Sequence, residues 1–170
     1  LFEAAVVLRE SGMVAPAIDY LERAATLATG SLATFRAHLA RSELLRQRGR
    51  FEEAIGDSVR AMAATETDPD GADLLPAALL ARGLARFEGD PAGGAGDLAR
   101  SLESFAGHGD LSSVGRVARS LVEPVEDEVA GPILIASIDR VVSQVGAGME
   151  PGVGSLLSAL AAGSAAKLGQ

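Results

Sequence analysis

A short turn pattern recurs along the chain, and it constrains the fold more than any other feature of the sequence. An apolar residue is followed by arginine, two variable positions and glycine, and successive glycines are roughly 40 residues apart, as in helix-pair repeats. Self-similarity at such a period indicates a repeat architecture in which each unit packs on the next. The copies are Leu8-Arg9-x-x-Gly12, Leu45-Arg46-x-x-Gly49 and Ala85-Arg86-x-x-Gly89.

The chemistry of this pattern is that of a helix end. Glycine supplies the left-handed residue that commonly ends a helix, and arginine in the last turn interacts favourably with the negative end of the helix dipole. Small residues follow each glycine at two fixed offsets, where a second helix can approach closely. They are Ala17 and Ala24, Ala54 and Ala61, and Gly94 and Ser101. The pattern therefore predicts pairs of helices joined by short turns.

Apolar residues recur at helical spacing through most of the chain, and no segment has a convincing strand pattern. Asp90 and Pro91 are typical of the N-cap and first positions of a helix, and Ser31 is expected to cap another. The fold class that we predict is all-α. The expected helices span residues 1–11, 14–28, 31–48, 51–65, 72–88, 91–107, 110–122, 131–146 and 152–168.

The pattern divides the chain into three expected parts. Residues 1–107 hold three helix pairs, residues 108–130 an extra helix and an acidic joint with proline, and residues 131–170 a C-terminal helical hairpin. The acidic residues of the joint are expected to cap or precede a helix start. We interpret the hairpin as a cap on the array; the alternative is a homodimer formed through the small residues of its last helix. The acidic residues of the joint are Glu126, Asp127 and Glu128. The small residues of the last helix are Gly154, Ser158, Ala162 and Ala166.

Charge and composition narrow the possible partners. The chain has 170 residues and a formal net charge of −8, so nucleic acid and anionic membrane surfaces should repel it. It contains no cysteine, which excludes disulfides, cysteine-based zinc sites and a thiol nucleophile. The uncharged run 151–166 is too short to span a bilayer comfortably. We expect a cytoplasmic protein with no nucleic acid or membrane partner.

Catalytic and metal-binding motifs are poorly developed. The segment 66–71 resembles the start of a calcium loop, but Ala77 stands where a bidentate glutamate is needed and Pro69 intervenes. His38 and His108 have no zinc-ligand spacing, and we interpret both as structural. The glycine-rich segments lack the lysine and Ser/Thr of a phosphate-binding loop. We predict no enzyme activity, no cofactor and no metal site.

The repeat resembles the tetratricopeptide repeat (TPR), which has small residues at the helix-crossing positions, glycine at the turn and an aromatic or aliphatic residue two positions later. Val14 and Phe51 occupy the last of these positions. The third pair departs from the pattern, because Gly94 and Pro91 replace the alanine and the aromatic residue. The chain is similar to the degenerate arrays of actinobacterial multidomain regulators and caspase-like protease fusions.

This resemblance implies an antiparallel helix-pair α-solenoid with a concave groove lined by the first helix of each pair. Arginines stacked in that groove would suit an acidic peptide or helix, since a guanidinium offers forked donors; alternatively, they only end their helices. The implied function is a non-enzymatic protein-interaction scaffold. The alternative is a ligand- or domain-sensing segment of a larger bacterial regulator. The groove residues implied by register are Phe2, Val6, Arg9, Arg36, Leu39, Glu43, Arg46, Leu79 and Arg86.

Overall fold

The computed structural model describes residues 1–68, 70–145, 148–149 and 151–168. Throughout these residues the regular structure is helical, which confirms the all-α prediction. Every expected helix is present, and its ends agree to within one or two residues, the usual uncertainty of a helix end. The helices are α1 Phe2–Glu10, α2 Val14–Leu27, α3 Ser31–Gln47, α4 Phe51–Thr65, α5 Gly71–Arg86, α6 Pro91–Gly107, α7 Leu111–Ser120, α8 Ala130–Val145 and α9 Pro151–Leu168, with a 3₁₀ turn at Pro124–Glu126.

Glycine turns with a left-handed residue join α1 to α2 and α3 to α4. Gly12 and Gly49 have φ angles of 76° and 72°. The N–H of Gly49 donates to the carbonyl of Arg46, and the next N–H donates to the carbonyl of Leu45. The turn at Gly12 has the same two hydrogen bonds, which define the Schellman motif. The predicted helix end is therefore confirmed in these two copies.

The third copy does not adopt this geometry. Gly89 is not left-handed, and the N–H of Asp90 donates to the carbonyl of Arg86. The prediction for Gly89 is wrong because α5 ends in a tighter turn that any residue could form. Instead, Gly109 has a φ of 72° and makes the Schellman hydrogen bonds between α6 and α7.

The chain divides into two units, and the first comprises Leu1–Ala85. Of the small residues predicted at the helix crossings, Ala17, Ala54 and Ala61 are completely buried there, whereas Ala24 is half-buried. Two apolar clusters fill the interior. The first contains Ala5, Ala17, Ile18, Leu21, Leu44, Leu45, Ala54 and Ala85, and the second contains Phe35, Ala61 and Ala78.

The start of α3 differs from the prediction. Gly30 occupies the N-cap position, and no side chain from the described ranges caps this helix. Ser31 is already the first helical residue, so its hydroxyl is free to donate to Oδ2 of Asp68 at 2.5 Å. This hydrogen bond, together with the backbone N–H of Asp70, lowers the pKa of Asp68. Ser31 therefore ties the start of α3 to the segment before α5 and does not cap the helix.

The second unit comprises Arg86–Gln170. Asp90 caps α6 through the N–H of Gly93, and Pro91 follows it, both as predicted. Asp127 accepts hydrogen bonds from the N–H groups of Val129 and Ala130, which confirms a capping role for the acidic joint. The division after Ala85 differs from the grouping of residues 1–107 that the repeat pattern indicated.

Helices α8 and α9 pack against each other. Helix α8 also packs on α6, where the hydroxyl of Ser137 donates to the carbonyl of Ala99 at 3.3 Å. Dimerisation through α9 stays a prediction, and the side chain of Ala166 lies outside the described residues. Among the helices that the structure describes, none combines the length and the apolar character needed to cross a membrane.

Candidate functional site

The predicted groove residues of α1 form a stripe on that helix. Phe2 is half-buried and packs against the first core cluster. Val6, one turn later, is also half-buried, and Arg9 in the last turn is exposed. Helix α1 thus presents an apolar start and a cationic end on the same face.

The predicted residues of α3 have different environments. Arg36 is exposed, and Leu39 is half-buried against the second core cluster. Arg46 donates two hydrogen bonds to the carboxylate of Glu43, at 2.9 and 3.1 Å. Gln47 donates to the same carboxylate at 2.7 Å. Arg46 and Glu43 therefore form an ion pair within α3.

Two other predicted groove residues have structural roles. Leu79 is only 2% exposed, so its side chain belongs to the interior and is not available on a binding surface. This corrects its assignment to the groove. Arg86 lies in the second unit, where it donates to the carboxylates of Asp90 and Asp97. The hydrogen bond to Asp90 is the main cause of the raised pKa of Arg86.

Arg9 and Arg36 are the predicted arginines that remain available. Within the described part of the chain, neither side chain has a hydrogen-bond or ion-pair partner. Both belong to the first unit and both are exposed. Of the proposed arginine stack, Arg46 and Arg86 thus have internal partners, whereas Arg9 does not.

A pocket of about 390 Å³ brings Arg36 and Phe2 together. We call it the Arg36 pocket. Its walls come from the start of α1, the end of α2 and the start of α3, and they are mostly apolar. Arg36 is its cationic group and Glu3 its acidic one. The lining residues are Leu1, Phe2, Glu3, Ala24, Leu27, Ala28, Ala33, Arg36 and Ala37.

A second candidate site surrounds Asp57, whose side chain is completely buried between α3 and α4. Arg41 donates to both of its carboxylate oxygens, at 2.9 and 3.2 Å. Arg60 donates to Oδ1 at 3.0 Å, and Nδ1 of His38 lies 3.1 Å from the same oxygen. We call these four residues the Asp57 network. Three donors thus converge on a single carboxylate.

The Asp57 carboxylate is ionised despite its burial. Burial alone would raise its pKa, but the hydrogen bond with His38 and the charge of Arg41 outweigh that effect, so the pKa lies below its usual range. An ionised carboxylate can only accept hydrogen bonds. Nδ1 of His38 therefore carries a proton and donates it, and Nε2 is the ring nitrogen left for other contacts.

His38 also lines a pocket of about 530 Å³ between α2, α3 and α4, which we call the His38 pocket. Sequence reasoning treated His38 as structural and did not single out Asp57. A signal was nevertheless present, because Asp57 falls among the small buried residues Ala54, Ser58 and Ala61 on α4. The lining residues are Glu22, Ala25, Thr26, His38, Arg41, Glu52, Glu53, Gly56 and Arg60.

Among the described residues, no group of three or more histidine and carboxylate side chains is placed to hold a metal ion.

In comparisons with known proteins, no family model, curated protein or solved structure matched this chain.

Proposed function

We propose that the chain is a protein-interaction scaffold whose first unit binds a peptide with an apolar side chain next to a carboxylate. The observation that carries this proposal is the Arg36 pocket. There, a guanidinium without an internal partner among the described residues stands beside mostly apolar walls. An apolar side chain of the peptide would enter the pocket, and the neighbouring carboxylate would pair with Arg36.

The energetics favour a carboxylate over other polar groups. A guanidinium presents paired donors that match the two oxygens of a carboxylate, and such charge-assisted hydrogen bonds are stronger than neutral ones. Arg36 would not have to break an existing ion pair to bind, unlike Arg46. The apolar walls formed by Phe2 and Leu27 would contribute through burial. Arg9 at the far end of α1 would meet a further acidic residue of the same peptide.

We also propose that α1 to α4 form two TPR-like helix pairs. Both pairs have the same Schellman turn, at Gly12 and Gly49. Both have a fully buried alanine at the matching crossing position, Ala17 and Ala54. In such an array the surface of α1 and α3 is the one that a peptide would occupy.

A peptide array tests the proposal directly. Short alanine-based peptides would present every pair of adjacent residues, and bound protein would be detected on each. We expect wild type to prefer Asp or Glu next to Leu, Met or Phe. Arg36→Glu should shift that preference toward Lys or Arg, whereas Arg100→Glu, at an exposed position of α6, should not. An unchanged preference in Arg36→Glu would refute the proposal.

The alternative function, a ligand-sensing segment of a larger regulator, has one observation in its favour. The His38 pocket is larger than the Arg36 pocket and is mostly polar in its lining residues. A small molecule bound there would contact three helices of the first unit. It could therefore shift an equilibrium between two arrangements of those helices.

A further inference from the structure

We propose that the His38 pocket binds a zwitterion with the dimensions of a short free peptide. Its carboxylate would lie near Arg60, and its ammonium group near Glu52. This site is separate from the Arg36 pocket, and the inference does not depend on the function proposed above.

The charge distribution along α4 gives the pocket two different ends. Glu52, Gly56 and Arg60 are spaced four residues apart, so they lie on one face of the helix. All three line the pocket. At a rise of 1.5 Å per residue, the backbone positions of Glu52 and Arg60 are about 12 Å apart. One wall thus carries the carboxylate of Glu52 and the guanidinium of Arg60, whose Nη1 hydrogen-bonds to Asp57 and lies beside Gly56.

The buried carboxylate of Asp57 fixes the position of the basic end. His38 and Arg60 both contact Oδ1 of Asp57, at 3.1 and 3.0 Å, so their side chains are at the same end of the pocket. Asp57 holds them there from a position that solvent does not reach. Arg60 uses one guanidinium nitrogen for this contact and is 61% exposed, which leaves further N–H donors for a ligand.

The acidic end also has an available group. Glu53 accepts two hydrogen bonds from Arg50, each of 2.7 Å, and is therefore occupied. For Glu52, no partner is present within the described part of the chain, and its side chain is exposed. An ammonium group at this end would find a carboxylate that has no competing internal ion pair there.

Charge balance favours a zwitterion over a simple ion. A simple anion would meet Glu52 in the same pocket, and a simple cation would meet Arg60. Like charges within one pocket repel each other. A ligand with one charge of each sign, oriented along α4, avoids both penalties.

Size is consistent with this class of ligand. The volume of about 530 Å³ falls within the range of ordinary small-molecule sites. An extended peptide of three residues spans roughly 10 Å at 3.3 to 3.6 Å per residue.

Gly56 leaves the space beside the Arg60 guanidinium without a second side chain. A Cβ atom at Gly56 would meet only Nη1 of Arg60, at 3.8 Å, which is an ordinary contact. Alanine should therefore fit, and it also favours the helix over glycine. A longer side chain at this position would extend into the space that the ligand needs. Gly56→Ala and Gly56→Met thus form a matched pair that should both fold.

The experiment is a titration of the ¹⁵N-labelled chain with tri-alanine, followed by NMR. We expect amide shifts that map to α2, α3 and α4 around the pocket. Gly56→Ala should bind with similar affinity, and Gly56→Met should bind at least about tenfold more weakly. Absence of shifts up to the solubility limit of the peptide, or equal binding by both Gly56 variants, would overturn the proposal.

Capped peptides and charge reversals test the two ends separately. N-acetyl-tri-alanine and tri-alanine amide should each bind about tenfold more weakly than the free peptide. Arg60→Glu should weaken binding of the free peptide, while Arg100→Glu should not. Arg36→Glu should also leave it unchanged, which separates this site from the Arg36 pocket. Equal affinities of the free peptide and both capped peptides would overturn the proposal, because the charged ends would then not be recognised.

Discussion

Arg41 and Asp57 are joined by two hydrogen bonds from one guanidinium nitrogen, of 2.9 and 3.2 Å, and the Asp57 side chain is completely buried. Arg41 also lies 3.3 Å from Glu22. One arginine on α3 therefore connects carboxylates of α4 and α2. This connection holds the walls of the His38 pocket, and it makes the stability of the first unit depend on a single ionised aspartate.

Asp57→Ala should strongly destabilise the protein. It would leave Arg41 largely buried without its main partner, and breaking a buried ion pair in this way typically costs about 3 to 5 kcal/mol. Urea unfolding would measure the change in the free energy of unfolding. Glu53→Ala is the control, because it removes an exposed ion pair on the same helix and should change the midpoint little. Equal midpoints for the two variants would contradict the prediction.

The stability of the protein should decrease in acid because of Asp57. Its pKa in the folded state is lowered: burial opposes this change, but the hydrogen bond with His38 and the charge of Arg41 outweigh it. The ionised form therefore stabilises the fold above the ordinary aspartate pKa of about 3.9. This contribution is lost as the pH falls through the lower pKa that Asp57 has in the folded state.

Urea unfolding of wild type and Asp57→Asn over a series of pH values checks this sign. The difference between their free energies of unfolding should be largest above about pH 4 and should narrow below it. A difference that stays constant into strong acid would show that the Asp57 charge does not contribute. Asp68, Asp90 and Asp110 also have lowered pKa values, so both proteins should lose some stability in acid.

Gly49→Ala should destabilise the protein and Gly89→Ala should not, although both glycines occupy the same place in the sequence pattern. Gly49 has a φ of 72°, and a left-handed residue with a Cβ costs about 1 to 2 kcal/mol. Gly89 is not left-handed, and open space surrounds the position that a Cβ atom would take. Alanine there should be neutral or stabilise the protein slightly, by reducing the entropy of the unfolded chain. Thermal unfolding of both variants is the measurement, and similar losses would contradict the assigned turn geometries.

The crossing of α3 and α4 should tolerate only small residues. Ala54 is completely buried, and its carbonyl accepts hydrogen bonds from the hydroxyls of Ser42 and Ser58. Ala54→Leu should destabilise the protein by about 1 to 3 kcal/mol through overpacking. Ala63→Leu places the same side chain on an exposed position of α4 and should be nearly neutral. Chemical unfolding of both variants distinguishes a packing effect from a general effect of leucine on this helix.

Helix positions could be predicted from the sequence because they depend on local chemistry. Proline, glycine and aspartate mark the ends, as the cap of Asp90 on α6 illustrates. The repeat pattern missed the turn at Gly109, because the pattern requires an arginine three positions before the glycine and Ala106 stands there. The Schellman hydrogen bonds of this turn involve only backbone groups. Arginine is therefore not necessary to the turn.

The sites were less predictable because they depend on the alignment of one helix against another. Phe2 and Arg36 were both assigned to a groove, and both do line one pocket. The groove assignment of Leu79 is wrong, because its side chain is buried. The Asp57 network combines His38 and Arg41 of α3 with residues of α4, and no single helix contains its pattern.

The left-handed glycine turns have a consequence for the order of folding. Each connects two helices through three residues, at 11–13, 48–50 and 108–110. Closing such short loops costs little chain entropy, and proteins rich in local contacts fold quickly. The hairpins α1–α2, α3–α4 and α6–α7 should therefore form first. During synthesis, the first two could pair before the second unit has left the ribosome.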